Sequence, residues 1–300
     1  MRSIVGSHEM SHGFTLIELS IVLVIIGLIV GGVLVGRDLI GAAGGRAQIS
    51  QIERYQTAVN TFRGKYGFLP GDIKDPEASQ FGFAARDVYA GQGDGNGIIE
   101  GVSCEGSGCN AGTNITSGEI AVFWNDLAVA GLISEKLTTA TQTFVPVANG
   151  VAVSLYMPRA TVGNENYVHV WSKGGVNYFA ISSYTHMGWA MGDAYASMPV
   201  RQAAYIDAKM DDGLPQTGNV LAQYLTWEST HVGVTWAAGG TVNVGGWLAT
   251  STVGASPGTA AAANATTCYD NGNSAGATMQ YSLSQSNGNG VNCALSFRFQ

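Results

Sequence analysis

The stretch Leu19–Gly36 is 18 residues without a single charge, and a chain containing such a run must give it an apolar home. As a helix it would be about 27 Å long at 1.5 Å per residue, close to the ~30 Å of a bilayer's hydrocarbon core, so a membrane span is expected. Immediately before it stands Glu18. An acidic side chain near a membrane centre costs about 3 kcal/mol on insertion scales, and less near an interface, so Glu18 asks for a partner. The cheapest partner is positive. A cut after Gly13 would create an α-amino group on Phe14 one helical turn from Glu18, and the same amine on a neighbouring subunit could also reach it. The competing reading is a secretory signal peptide cut near Gly41-Ala42-Ala43, but the apolar run exceeds the usual ~7–15 residues and Glu18 is foreign to such a segment.

The whole chain of 300 residues, 46% of them hydrophobic and 42 of them glycine, can bury one good core or two small ones. Only 12% of residues are charged and the net balance is −7, so polyanions are repelled and nucleic-acid binding is not expected. The cysteines Cys104, Cys109, Cys268 and Cys293 permit three pairings. The sequence-local one, 104 with 109 and 268 with 293, closes two short loops and is the pairing expected. No CxxC is present, which argues against finger, ribbon and thioredoxin-type sites and favours an oxidising, extracytoplasmic location.

Between Gln51 and Asp72, Ile52, Tyr55, Val59 and Phe62 recur at helical spacing, and Gly64, Gly67 and Pro70 end the pattern. A helix from Phe14 to about Lys65 follows, roughly 78 Å long if straight. Its glycines between Gly31 and Gly45 each lower helix stability by about 1 kcal/mol relative to alanine and mark a stretch for local melting. A second, short helix is expected in "SGEIAVFWNDLAVAGLI", capped by Ser117 and stopped by Gly131, with Ile120, Phe123, Trp124 and Leu127 on one face. Strands are signalled at Val151–Met157, Tyr167–Trp171, Val176–Ser182, Met279–Leu283 and Ala294–Phe299. The fold class is therefore α+β, a long N-terminal spine helix packed against a C-terminal head with an antiparallel β-sheet.

The residues Gly13-Phe14-Thr15-Leu16-Ile17-Glu18, followed by an apolar helix, resemble the precursors of type IV pilins and type II secretion pseudopilins. Weaker likeness to large pseudopilin-like proteins lies in the helix with Phe123 and Trp124 and in Ala203–Val220. The resemblance implies a leader over 1–13 and a spine helix over 14–66, whose half over 14–36 serves membrane insertion and assembly. It implies a head over 67–300 whose C-terminal region, 268–293, is stapled by a disulfide. A prepilin peptidase would cut Gly13-Phe14 and methylate the Phe14 amine, and Glu18 would pair with the Phe14 amine of an adjacent subunit. The implied function is a structural filament subunit and not an enzyme. The alternatives are a pseudopilin of a type II secretion system or a minor or tip pilin with an adhesive head. Partners would be other pilins and an inner-membrane assembly platform, and the protein would pass from the bacterial inner membrane to a periplasmic or cell-surface filament.

One further motif concerns metal. Read as an EF-hand-like loop from Gln92, "GQGDGNGIIEG" places Asp94, Asn96, the Ile98 carbonyl and Glu100 at ligand positions, with Gly97 at the turn. Gln92 and Ser103 replace the acidic first and twelfth ligands, so the candidate is a smaller Ca2+ site with Asp72 or Asp87 nearby, and the alternative is a plain glycine-rich turn. Asp207, Lys209, Asp211 and Asp212 form a second polar cluster, expected at the end of a helix opened by Pro199 and closed by Gly213, with Lys209 as local partner. Two catalytic patterns match only literally. His8-Glu9-Met10-Ser11-His12 fits HExxH but lies in the expected leader, and Gly272-Asn273-Ser274-Ala275-Gly276 fits GxSxG without the strand and helix that would strain its serine.

Overall fold

The computed structural model describes residues 15–86, 93–101, 118–138, 153–163, 165–188, 191–228, 231–237, 268–270, 278–283 and 293–300. The chain divides into two compact units, one ending at Ala43 and the other running from Gly44 to Gln300. Helix α1, Leu16–Tyr66, contributes to both. Residues 31–45 are helical within it despite their glycines. Arg63 and Lys65 occupy its last turn, where cations complement the negative end of the helix dipole.

The two ends of α1 differ in what covers them. From Leu16 to Ile40 every large apolar side chain is exposed. In the second half Ile52, Tyr55, Val59 and Phe62 are buried, as their spacing predicts. Two polar residues join that face. Gln48 accepts the Thr161 N–H at 2.8 Å, and Gln51 donates to the Arg159 carbonyl at 2.7 Å, so buried amides dock the 159–162 segment onto the helix.

After the short α2, Glu77–Gln80, comes α3, Gly118–Val129, all of whose residues from Gly118 to Leu127 are buried. Its C-terminus is closed by the Leu132 N–H on the Leu127 carbonyl and the Gly131 N–H on the Ala128 carbonyl, both at 3.0 Å. That pair of bonds is a Schellman cap, and Gly131 takes its left-handed position at φ +69°. Val153–Leu155 is a 3-10 turn, so the expectation of a strand over Val151–Met157 is corrected for its described part: the Tyr156 and Met157 N–H groups both turn back to the Val153 carbonyl, at 2.9 and 3.0 Å.

Strands β1, Asn166–Lys173, and β2, Val176–Gly188, form a hairpin, and β3, Met191–Tyr195, returns along the far half of β2. Helix α4, Val200–Met210, starts at Pro199 as expected. The remaining strands are β4, Val220–Leu221, β5, Gln223–Glu228, β6, His231–Trp236, β7, Tyr269–Asp270, β8, Gln280–Tyr281, and β9, Leu295–Arg298. Among the described residues the main sheet is antiparallel and five-stranded, in the order β1-β2-β9-β4 with β3 also on β2, while β5 pairs with β6 and β7 with β8. The C-terminal strand is thus central. It is tied down by the Cys268–Cys293 disulfide, with Cα atoms 4.9 Å apart, as expected from the sequence. Cys104 and Cys109 lie outside the described residues.

An aromatic chain joins these layers. Tyr55 of α1 meets Trp124 of α3 edge-on at 4.9 Å, Trp124 lies 6.1 Å from Phe179 of β2, and Phe179 lies 4.3 Å from Phe299 beyond β9. Such contacts add about 0.5–1.5 kcal/mol per pair to the area they bury.

Close approach of backbone is needed where α1 hands over to α3. Gly71 sits at φ +85°, and a Cβ there would come 2.4 Å from the Glu119 carbonyl oxygen. Gly71→Ala is therefore expected to lower unfolding free energy by about 2–4 kcal/mol, combining strain and overpacking. Gly64→Ala, at a helical position with open space around it, is expected to raise it by up to about 1 kcal/mol. Denaturant midpoints of the two variants test this, and an unchanged midpoint for Gly71→Ala would contradict it.

Candidate functional site

The first place of interest is the start of α1. Thr15 stands at the N-cap and Glu18 at the third helical position, and the two satisfy each other. The Thr15 N–H and hydroxyl both donate to Glu18 Oε2 at 2.8 Å, and the Glu18 N–H donates to Thr15 Oγ1 at 3.3 Å. This reciprocal pair is a capping box, which occupies orphan N–H groups at a helix start. The T-x-x-E spacing signals it in the sequence, and a reading that treats Glu18 only as a charge in search of an amine misses it. A carboxylate has room for about four hydrogen bonds, so capping does not exhaust Glu18. Gly13 and Phe14 lie outside the described residues.

Residues 10–34 match the family model described as the prokaryotic N-terminal methylation motif. This chain carries the signature of type IV pilins and pseudopilins. Helix α1 is also long and apolar enough, near the N-terminus, to cross a membrane. The signature and the exposed apolar N-terminal half of α1 fit a membrane-anchored precursor, and the fold class is α+β. No curated protein and no solved structure matches the chain, so the C-terminal unit is read from its own residues.

The second place of interest lies in the C-terminal unit, where the turn after α1, the 93–100 loop and the first turn of α3 meet. Glu119 is buried in α3 and gathers the loop. Its Oε1 accepts the Gly93 N–H at 2.8 Å and the Asp94 N–H at 3.3 Å, and its Oε2 accepts the Glu100 N–H at 2.9 Å. Asp72, 1% exposed, accepts the Gly97 N–H on Oδ2 at 3.0 Å, while its buried Oδ1 has no partner. Asn177 of β2 closes the back of the loop, accepting from the Ile99 N–H and donating to the Gly97 carbonyl, both at 2.9 Å. Below this, the buried Arg86 reaches Asp126 of α3 at 2.5 Å, and Asp126 also takes the Gly71 N–H at 2.7 Å.

Of the four residues that the loop motif singles out, Asp94 alone joins the converging carboxylates, whose other members are Asp72 and Glu119. Asn96 turns to its neighbours: its N–H and side-chain amide both donate to Asp94 at 2.9 Å, and its Oδ1 accepts the Ile98 N–H at 2.6 Å. Glu100 accepts weakly from the Asn96 amide at 3.4 Å. Asp72 was in view from the sequence, Asp87 lies outside the described residues, and Glu119 was missed because its distance along the chain gives no local signal. Burial pushes Glu119 up to about 9, with the Asp72 and Asp94 charges adding to it against the pull of its N–H donors. Burial likewise raises Asp72 to about 6, with the Gly97 N–H opposing and the Asp94 charge adding.

The Asp207 cluster is organised differently from the expectation. Lys209 lies over the Tyr205 ring at 5.9 Å, and the carboxylates are instead satisfied by the neighbouring chain. Asp207 takes the Tyr281 hydroxyl at 2.7 Å and the Gly213 N–H at 3.1 Å, Asp211 the Asn219 and Val220 N–H groups, and Asp212 the Leu214 N–H and the Thr217 hydroxyl. Fixed N–H groups are always at hand, whereas a lysine must be ordered first. The cluster stitches α4 to β4 and β8.

Burial lifts Asp207 from 3.8 to about 6, with the Asp212 and Asp211 charges contributing and the Tyr281 and Gly213 bonds opposing. The folded state then holds this proton to higher pH than the unfolded chain does, so the associated stability is present at low pH and is lost as pH rises from about 4 through 6. In chelator, the melting temperature of the wild type is expected to fall between pH 5 and 7, and that of Asp207→Asn to fall less steeply. Equal slopes would contradict this assignment.

Proposed function

We propose that the chain is a structural subunit of a type IV pilus-like filament. It is made as an inner-membrane precursor with a leader over 1–13, is cut between Gly13 and Phe14 by a prepilin peptidase and is methylated on the Phe14 amine. It then polymerises with other pilins on an inner-membrane platform, through the half of α1 that ends near Gly36, and presents the head over 67–300. The observation that carries this reading is the methylation motif set on a helix whose large apolar side chains from Leu16 to Ile40 have no cover among the described residues. Lipid covers them before assembly and the same helix of other subunits afterwards. Glu18 then has two tasks, capping its own helix through Thr15 and receiving the amine of a neighbouring Phe14. The same motif serves pseudopilins of type II secretion systems, for which the processed subunit would stay in a short periplasmic filament.

Replacing Glu18 separates the two tasks. Glutamine serves in a capping box as glutamate does, but it cannot form an ion pair. Glu18→Gln and Glu18→Ala are both expected to insert in the membrane normally. Both should also lower recovery in the filament fraction by at least about tenfold, in keeping with roughly 1.5–3 kcal/mol for a charge-assisted hydrogen bond. Normal incorporation of Glu18→Gln would overturn the pairing role and leave capping as the whole function of the residue.

A further inference from the structure

We propose that Asp72, Asp94 and Glu119 form a binding site for one divalent cation ligated by oxygen, and that the cation is calcium. One carboxylate oxygen from each of the three lies within 4.8 Å of the other two. Oxygens that share a Ca2+ ion at 2.3–2.6 Å can be up to about 5 Å apart, so the three can share an ion at their present spacing. They come from the turn after α1, from the 93–100 loop and from α3.

What separates this group from an ordinary acidic patch is Asp72. Its residue is 1% exposed, one oxygen is engaged by Gly97, and the other is buried with no hydrogen-bond partner. A buried polar atom left unpaired in this way is rare in native proteins and points to an ion or water that completes it. Glu119 retains capacity too, since three N–H groups fill three of its roughly four acceptor sites. Among the described residues no ion pair neutralises these three carboxylates. The salt bridges among the described residues join Arg54 to Glu135 and Arg86 to Asp126.

The other convergent group, Asp207, Asp211 and Asp212, is a useful contrast within the same molecule. Its members have partners in Tyr281, Thr217 and several backbone N–H groups, and none of their oxygens is buried without a partner. It therefore carries no site. The choice of calcium over magnesium follows from burial. Magnesium keeps several of its waters, whereas two of the three carboxylates here are buried, and calcium accepts irregular all-oxygen surroundings. Bound there, the ion would lock the 93–100 loop to the start of α3 and to the turn that follows α1. This inference is independent of filament assembly.

The test uses the full chain purified in detergent, stripped with EDTA and titrated with CaCl2 by calorimetry, with the melting temperature followed in parallel. One Ca2+ per chain is expected, with a dissociation constant of about 10⁻³ M or tighter, the range of extracellular modules, and a rise of several degrees in melting temperature. Asp94→Asn, at an exposed position that leaves the fold intact, should weaken binding at least about tenfold, the loss of one charged ligand. Asp72→Asn should abolish the Ca2+-dependent rise, and Glu100→Gln should leave it in place. Absence of heat and of any melting shift in the wild type at about 10 mM CaCl2, well above that range, would overturn the proposal. So would binding of wild-type strength in Asp94→Asn. Equal affinity for MgCl2 would overturn the choice of ion.

Discussion

An uncovered apolar helix is the constraint on which the rest of this structure turns. Between Leu16 and Ile40 the large side chains face outward without interruption. A contiguous exposed surface of that kind marks a membrane or protein contact, because each buried methylene is worth about 0.8 kcal/mol. The same helix, a few turns later, buries Tyr55 and Phe62 in a protein core. One element thus serves two surroundings, and its sequence changes character between them: free of charge on every side from Leu19 to Gly36, apolar on one face after Gln48.

The second half of α1 organises the C-terminal unit as much by polar as by apolar contact. Tyr55 donates to Glu135 at 2.8 Å while its ring meets Trp124, and Gln56 donates to the carbonyl of Phe299 at 3.1 Å, fixing the chain's last residues to the helix. The start of α3 does the corresponding work for the loops. Glu119 and Asp126, seven residues apart and therefore on one helix face, gather the 93–100 loop, Gly71 and Arg86. Buried carboxylates are costly unless satisfied. Engaged by backbone N–H groups and by Arg86, these two set where several irregular segments lie.

Features encoded by near neighbours were legible in the sequence. The periodicity of Ile52, Tyr55, Val59 and Phe62 located α1, Gly131 marked the end of α3, and alternating β-rich runs gave β1, β2 and β9. The short pairings of β3 to β6 were not read, because two- to six-residue strands take their identity from the neighbour they join. Val153–Leu155 differs from the expected strand for the same reason: a short apolar run suits a strand but does not compel one. At the N-terminus the T-x-x-E spacing of Thr15 and Glu18 was present as a local signal, yet the charge of Glu18 invited a longer-range explanation. The carboxylate group was half legible. Asp94 announces itself in a glycine-rich loop, whereas Glu119 reads as an ordinary first-turn acid until folding brings the loop onto it.

In the proposed function this helix is unmasked by a cut after Gly13 and then buried among its own kind. Mass spectrometry of the N-terminal peptide, taken from sheared surface material and from membranes of the native host, tests it most directly. A peptide beginning with methylated Phe14 is the predicted result, found in the sheared filaments. A chain that still begins at Met1, or one cut near Gly44, would contradict the account.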